Sequence, residues 1–183
     1  MLTRELAAAR DRLSVVDVVA EPGMGKFRLL HEFHRYIDPK ATFILHGGCS
    51  PDGQNTSFLP FIEVVRLSFQ LRIGEHEPDI AKKLATGLTR LNLDSIQNRA
   101  LLLNLFGLKV PDASLAGLDG VKIGLRTREL LQDLVKARCR MSPVVMLIED
   151  IHWIDSASEE LLGRFIRGGG AVPLLIVHTR RPE

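Results

Sequence analysis

Four short apolar runs separated by helical patterns constrain the fold of this chain more than any other feature. The runs cover residues 15–20, 42–46, 144–148 and 173–177. The run over 144–148 is apolar at every position, which is typical of a strand covered on both faces of a parallel sheet. Strands that alternate with helices in this way predict an α/β fold with a parallel sheet.

Apolar residues at helical spacing fill most of the sequence between these runs. The predicted helices cover 2–12, 27–37, 59–71, 78–91, 95–106, 125–140 and 157–167, with a further helix beginning after Gly120. Ser156 and Glu159 have the spacing of a capping box for the last of them, with Asp155 as a second capping residue. Residues 50–125 are therefore predicted to be a mainly helical insertion within a single core over 1–183.

Composition excludes several classes of protein. The chain has 183 residues, 45% hydrophobic and 25% charged, as in one soluble globular domain. Its formal net charge of +2 is too small for a protein that coats nucleic acid, so we expect no direct nucleic-acid binding. The two cysteines form no CxxC pair, which argues against a zinc site. With no signal core and no run of the ~20 apolar residues that cross a membrane, a cytoplasmic location away from membranes is expected.

The first apolar run leads into a turn with the sequence Ala-Glu-Pro-Gly-Met-Gly-Lys-Phe, residues 20–27. A strand, a glycine-rich loop and a helix in this order can bind phosphates through backbone N–H groups and a lysine. Gly25 and Lys26 match the usual pattern G-x-x-x-x-G-K-[S/T], but Ala20 replaces the first glycine. Phe27 replaces the hydroxyl residue that ordinarily binds Mg²⁺. Taken alone, the loop is equally compatible with an ordinary strand-to-helix turn.

Two adjacent acids, Glu149 and Asp150, follow the run over 144–148. Ligands of parallel α/β sheets bind outside the carboxyl ends of the strands. There, one acid can hold Mg²⁺ while its neighbour orients an attacking water. An isolated acidic pair would more simply begin a loop, but its combination with the glycine-rich loop on a second buried strand favours a nucleotide site. Asp17, inside the first apolar run, is unusual and predicts that this strand lies at a sheet edge.

The stretch Ile-Glu-Asp-Ile-His-Trp-Ile-Asp-Ser-Ala-Ser, residues 148–158, resembles the Walker B region of the signal-transduction ATPases with numerous domains, within the AAA-type superfamily. It is most similar to the ATPase module of bacterial multidomain adenylate or guanylate cyclases and of large LuxR-type regulators. Weaker similarities lie at 28–33, at 57–61 and at 179–183, the last resembling a sensor region. The matches extend over nearly the whole chain, and the Glu-Asp-x-His-Trp-x-Asp string is the most specific.

This resemblance implies a three-layer P-loop NTPase fold that binds ATP or ADP with Mg²⁺. The implied cofactor-binding residues are Glu21, Pro22, Gly23, Met24, Gly25, Lys26, Phe27 and Arg28. Lys26 would contact the β- and γ-phosphates. Glu149 and Asp150 take the positions of the Mg²⁺-binding acid and the water-orienting acid, and the resemblance leaves open which of them does which. His178, Thr179 and Arg181 fall where the γ-phosphate would be sensed, and Arg181 is preferred because a guanidinium binds phosphate oxygens bidentately.

The resemblance also implies parts that follow the fourth strand in the family: a fifth strand, a lid and effector domains. The fold is therefore expected to be incomplete, with the fifth strand and lid missing, as in a fragment of a larger multidomain protein. Other domains of that protein are the expected partners. The first strand would then have an open edge, which favours self-association.

Three functions stay open from the sequence. A regulatory switch that binds ATP and hydrolyses it slowly is supported by Lys26, by the two acids and by Arg181. A pseudo-ATPase that binds nucleotide without turnover is supported by Phe27 and Ala20. An interaction scaffold would retain the fold alone. We favour nucleotide binding with weak or absent hydrolysis.

Overall fold

The computed structural model describes residues 2–111, 113–168 and 170–182. Its strands are β1 (Ser14–Val19), β2 (Phe43–Gly48), β3 (Val144–Glu149) and β4 (Leu174–Arg180). They form one sheet in the order β1-β4-β3-β2, and every neighbouring pair is parallel. The α/β fold with a parallel sheet is therefore confirmed.

Helices connect the strands. They are α1 (Leu2–Ala8), α2 (Lys26–Tyr36), α3 (Leu59–Ser68), α4 (Glu77–Arg90), α5 (Ile96–Leu105), α6 (Gly120–Met141) and α7 (Ser156–Arg167), with short 3-10 turns at Pro51–Gly53 and Ile151–Trp153. The two helical segments predicted after Gly120 and over 125–140 are one continuous helix, α6. Helix α1 ends four residues before the predicted boundary at residue 12. None of the described helices is long and apolar enough to cross a membrane.

Two strands continue by two or more residues beyond their apolar runs. Strand β2 extends past its run at 42–46 to Gly47 and Gly48, because their backbones pair with Ile148 and Glu149 of β3. Strand β4 likewise continues over 178–180, where it pairs with the end of β1. Hydrogen bonds between strands thus outweigh the weak strand preference of Gly47 and Gly48.

Helix α7 begins at Ser156, so the predicted capping box of Ser156 and Glu159 is wrong. The N-cap is Asp155, whose Oδ1 accepts a 2.9 Å hydrogen bond from the Ser158 N–H. The same oxygen accepts the N–H of Phe58 at 3.0 Å. Asp155 is buried, and it therefore ties the start of α7 to the residue that precedes α3.

The chain divides into two compact units, residues 1–64 with 138–183, and residues 65–137. The first contains the whole sheet, and its core includes Leu30 and Phe33 of α2 against Val145, Leu147 and Val177 of the central strands. The described regular elements of the second are helical, with Leu84, Leu88, Leu101 and Leu102 fully buried.

Strand β1 lies at one end of the strand order and pairs with β4 alone among the described strands. The edge location predicted for Asp17 is confirmed. Its carboxylate accepts a 2.8 Å hydrogen bond from Arg180 Nε and lies 3.3 Å from His178 Nδ1. These charged and polar partners from β4 explain why an acid is tolerated within an otherwise apolar strand.

Candidate functional site

A cavity of about 470 Å³ lies where β1, β3 and β4 end. It is lined by Pro22, Gly23, Gly25, Lys26, Phe27, Arg28, Glu149, Asp150, Thr179 and Arg181. We call this space the nucleotide cavity, after the ligand that the sequence resemblance predicts there. The parallel sheet brings together three segments that are distant in the sequence, because their strands end at the same edge.

Most of the site residues predicted from the sequence line the nucleotide cavity, and Glu21, Met24 and His178 do not. Met24 points largely to solvent, with 74% of its surface exposed. Glu21 contributes its carbonyl, which accepts the N–H of Met24 and a bond from Lys26. Glu183, the last residue of the stretch compared with a sensor region, lies outside the described residues.

The glycine-rich loop adopts a backbone conformation that glycine makes accessible. Gly23 and Gly25 have φ angles of 80° and 82°, in the left-handed region, and a Cβ at either position would meet no atom within 4 Å. Glycine is therefore required by the backbone angle and not by lack of space. Gly25 is also the N-cap of α2 and offers no side chain to its first N–H groups. Those groups, at the positive end of the helix dipole, can bind an anion in the cavity.

The Lys26 side chain folds back across the loop. Its Nζ donates to the carbonyl of Ala20 at 2.6 Å and to the carbonyl of Glu21 at 3.2 Å. These bonds connect the end of the loop to its beginning. Because an ammonium group has three N–H donors, one is left for a phosphate oxygen.

Phe27 occupies the position of the usual hydroxyl residue and presents an aromatic ring. The ring is 68% exposed and stacks on His31, with centroids 6.3 Å apart. It lines the cavity but has no oxygen for a metal ion. If Mg²⁺ binds here, the side-chain oxygens available to it in the cavity are those of the acids across from the loop.

Glu149 ends β3 and is held by the neighbouring strand. Its Oε1 accepts a 2.6 Å hydrogen bond from His46 Nε2, and its carbonyl accepts the N–H of Cys49 at 2.9 Å. The bond to Glu149 raises the pKa of His46, although burial opposes the change. One carboxylate oxygen is engaged in this way, and no hydrogen bond from the described residues engages the second, which could bind a cation.

Asp150 follows in a left-handed conformation with a φ of 53°, which turns the chain sharply at the end of β3. Its N–H donates to the Thr179 hydroxyl at 2.9 Å. Its side chain is 44% exposed and lines the cavity beside that of Glu149. The two acids predicted for catalysis and metal binding therefore face the same space as the glycine-rich loop.

Arg181 lies beside the aromatic residues that follow the acids. Its guanidinium carbon is 6.0 Å from the centre of the Trp153 ring, and that ring is 5.1 Å from the ring of His152. Both ring nitrogens of His152 are buried without a hydrogen-bond partner among the described residues. Burial lowers the pKa of His152, which favours the uncharged ring, although Asp150 opposes the change.

The sequence interpretation missed His46 and Glu63. Glu63 Oε2 accepts the N–H of Gly48 at 2.7 Å and fixes the end of β2 beside Glu149. The signal for His46 was a polar residue at the end of an otherwise apolar run. Its partner could not be identified without knowing that β2 lies next to β3.

The family model of the AAA ATPase domain matches residues 1–177. The chain belongs to this family. As an AAA ATPase domain it is a P-loop ATPase module, and its parallel sheet is the P-loop NTPase fold that the resemblance implied.

Two further proteins are similar to this AAA ATPase domain. An uncharacterized protein of Rhizobium meliloti (strain 1021) is 29% identical over 176 residues, which are 93% of this chain. The chain spans 16% of the length of that relative. The second is a solved structure of cbiO1 from Clostridium perfringens, part of the ABC transporter complex cbiONQ. The match covers 92% of this chain and 67% of the cbiO1 chain, with 14% identity and a TM-score of 0.37.

Proposed function

We propose that this AAA ATPase domain binds ATP or ADP in the nucleotide cavity and acts as a regulatory module of a signal-transduction protein, with weak or absent hydrolysis. One observation carries the proposal. The glycine-rich loop, the acidic pair at 149–150 and Arg181 line a single cavity.

The loop supplies the groups that would hold the phosphates. The residues at the start of α2, including Lys26 with its remaining donor, line the cavity. A guanidinium at Arg181 supplies a second positive group near the end of β4. Such an arrangement favours a polyphosphate over a neutral ligand, because every one of these groups is a donor or a positive charge.

The acids supply the groups that would hold Mg²⁺. The second oxygen of Glu149 and the exposed carboxylate of Asp150 are hard oxygen ligands of the kind that Mg²⁺ prefers. When bound, Mg²⁺ would neutralise negative charge on the phosphate oxygens. Phe27 contributes no ligand, and this loss supports slow turnover or none. The pseudo-ATPase is thus the form of this proposal in which hydrolysis is absent.

The regulatory role is supported by the length of the relative. The chain corresponds to 16% of that protein, which leaves room for further domains. The resemblance of residues 148–158 to the modules of cyclases and LuxR-type regulators suggests effector domains as the partners. In this proposal, the nucleotide state of the cavity alters how the module contacts those domains.

Equilibrium binding of a fluorescent ATP analogue, with and without Mg²⁺, tests the proposal. We expect the wild type to bind and Lys26→Ala to lose about 10- to 100-fold in affinity, as for the removal of a charged hydrogen-bond donor. Lys40→Ala is the matched control. It removes the same charge from an exposed position before β2, at the opposite edge of the sheet, and should bind like the wild type.

The outcomes separate the three functions. Mg²⁺-dependent binding with slow phosphate release supports the switch, and Mg²⁺-independent binding without release supports the pseudo-ATPase. A folded wild type that binds no nucleotide would reject the proposal in favour of a scaffold. Rapid Mg²⁺-dependent turnover would contradict the part that concerns hydrolysis.

A further inference from the structure

We infer that His46 is a positioning residue for Glu149, holding the carboxylate in the orientation that binds Mg²⁺ beside the nucleotide. This inference rests on the proposed function and extends it to a residue of β2. The observation behind it is the 2.6 Å hydrogen bond from His46 Nε2 to Glu149 Oε1, between residues 103 positions apart in the sequence.

The sheet register brings these two side chains together. In the parallel pair of β2 and β3, His46 is opposite Leu147, and Gly48 is opposite Glu149. Residues two positions apart on a strand share a face, so His46 and Glu149 are diagonal neighbours on one face of the sheet. Gly48 has no side chain to intervene between them.

The backbone around the pair is fixed on both strands. The N–H of Cys49 donates to the carbonyl of Glu149, and the N–H of Gly48 donates to the carboxylate of Glu63. His46 therefore projects from an anchored strand, whereas Glu149 is the last residue of its own strand. A free glutamate side chain at that position would sample several rotamers, and the bond to His46 selects among them.

A surface ion pair that merely joins β2 to β3 is the simpler interpretation. The His46 side chain is 44% exposed and that of Glu149 is 21% exposed. Exposed ion pairs contribute little to stability, so in that case the loss of His46 would change almost nothing. A partner that orients a metal ligand has a different effect, because its removal typically costs 10- to 100-fold in metal affinity.

Variants at His46 distinguish a positioning residue from a surface ion pair, and the measurement is Mg²⁺-dependent nucleotide binding and not ATP turnover. His46→Leu keeps an apolar volume but has no donor, and His46→Gln places an amide N–H near the position of Nε2. His46→Asn stays polar, but its amide reaches only the position of Nδ1. His34→Gln, at an exposed position on α2, is the matched control.

The measured quantity is the Mg²⁺ concentration that gives half of the Mg²⁺-dependent change in affinity for the fluorescent ATP analogue. We expect this midpoint to rise roughly tenfold or more in His46→Leu and His46→Asn. It should stay within about threefold of the wild type in His46→Gln and in the control. Affinity in the absence of Mg²⁺ should be equal in all of these proteins.

An unchanged Mg²⁺ midpoint in His46→Asn or His46→Leu would overturn the inference. A midpoint that rises as much in His46→Gln as in His46→Leu would also overturn it. A wild type that binds nucleotide identically with and without Mg²⁺ would also overturn it, while nucleotide binding itself would stand. A wild type that binds no nucleotide would reject the proposed function and the inference together. The double variant Glu149→Gln with His46→Leu should have the same affinity for Mg²⁺ as Glu149→Gln alone, since both changes remove the same contact.

Discussion

The hydroxyl of Thr179 accepts a 2.9 Å hydrogen bond from the backbone N–H of Asp150 and so joins the end of β4 to the end of β3. Asp150 has a left-handed backbone at this point, and its carboxylate lines the nucleotide cavity. The position of this acid therefore depends on a residue of the neighbouring strand. Thr179 is itself 1% exposed, which makes the bond difficult for water to replace.

We expect Thr179→Val to lower the free energy of unfolding by about 1–3 kcal/mol, because it leaves the Asp150 N–H without its acceptor. Thr179→Ser retains the hydroxyl and should lose much less. Urea unfolding of the three proteins measures the difference. Equal stability of Thr179→Val and the wild type would show that water or another acceptor satisfies the N–H.

Phe27→Ser restores a hydroxyl at the usual position of a Mg²⁺ ligand, and we expect it to raise ATP turnover. Since the Phe27 ring is 68% exposed, its removal should change stability little. Phosphate release at saturating ATP and Mg²⁺ is the measurement, and Leu29→Ser on the exposed side of the same helix is the control. An unchanged rate in a Phe27→Ser protein that still binds ATP would refute the idea.

Trp153 is the single tryptophan of the chain, and Arg181 lies 6.0 Å from the centre of its ring. If Arg181 binds the γ-phosphate, ATP should draw the guanidinium away from the ring, whereas ADP should not. We therefore expect ATP to change the intrinsic fluorescence of Trp153 more than ADP does. Arg181→Ala should abolish the difference between the two nucleotides. Identical spectra with ATP and ADP in a wild type that binds both would argue against Arg181 as the sensor.

Burial lowers the pKa of His178 below its ordinary value of 6.5, even though Asp17 opposes the change. The unfolded chain then binds a proton at this histidine more readily than the folded one. Its contribution to stability is present above about pH 6.5 and is lost as the pH falls toward the folded-state pKa. We expect the wild type to lose more stability than His178→Gln between pH 7.5 and pH 5.5, a comparison that cancels effects common to both proteins. The pKa of His46 is raised, so its contribution to stability is greatest at low pH and is lost as the pH rises. An equal loss of stability in the wild type and in His178→Gln over this pH range would contradict the prediction for His178.

The strands and the glycine-rich loop could be predicted because each depends on neighbouring residues. Apolar runs indicated β1 to β4, and Gly25 with Lys26 indicated a glycine-rich loop between β1 and α2. Local sequence could not give the ends of β2 and β4. Gly47 and Thr179 lie in strands because of pairing with distant segments.

The capping role predicted for Asp155 is confirmed, but the sequence did not show that it replaces Ser156 as the N-cap, nor which residue pairs with His46. Asp155 and Ser156 are adjacent capping residues, and sequence spacing does not determine which one stays outside the helix. Asp155 does so because the same oxygen also binds the N–H of Phe58, a contact between residues 97 positions apart. The bond between His46 and Glu149 likewise depends on the strand order, which no local pattern contains.

The two bonds from Lys26 to the carbonyls of Ala20 and Glu21 have a consequence for the thermodynamics of recognition. A loop whose ends are already connected loses little conformational entropy when a ligand arrives, since most of its ordering occurred during folding. If the proposed function is right, the loop is thus preorganised for polyphosphate. Association should resemble the filling of a formed receptor, with a small change in heat capacity, and not the coupled folding of a flexible segment.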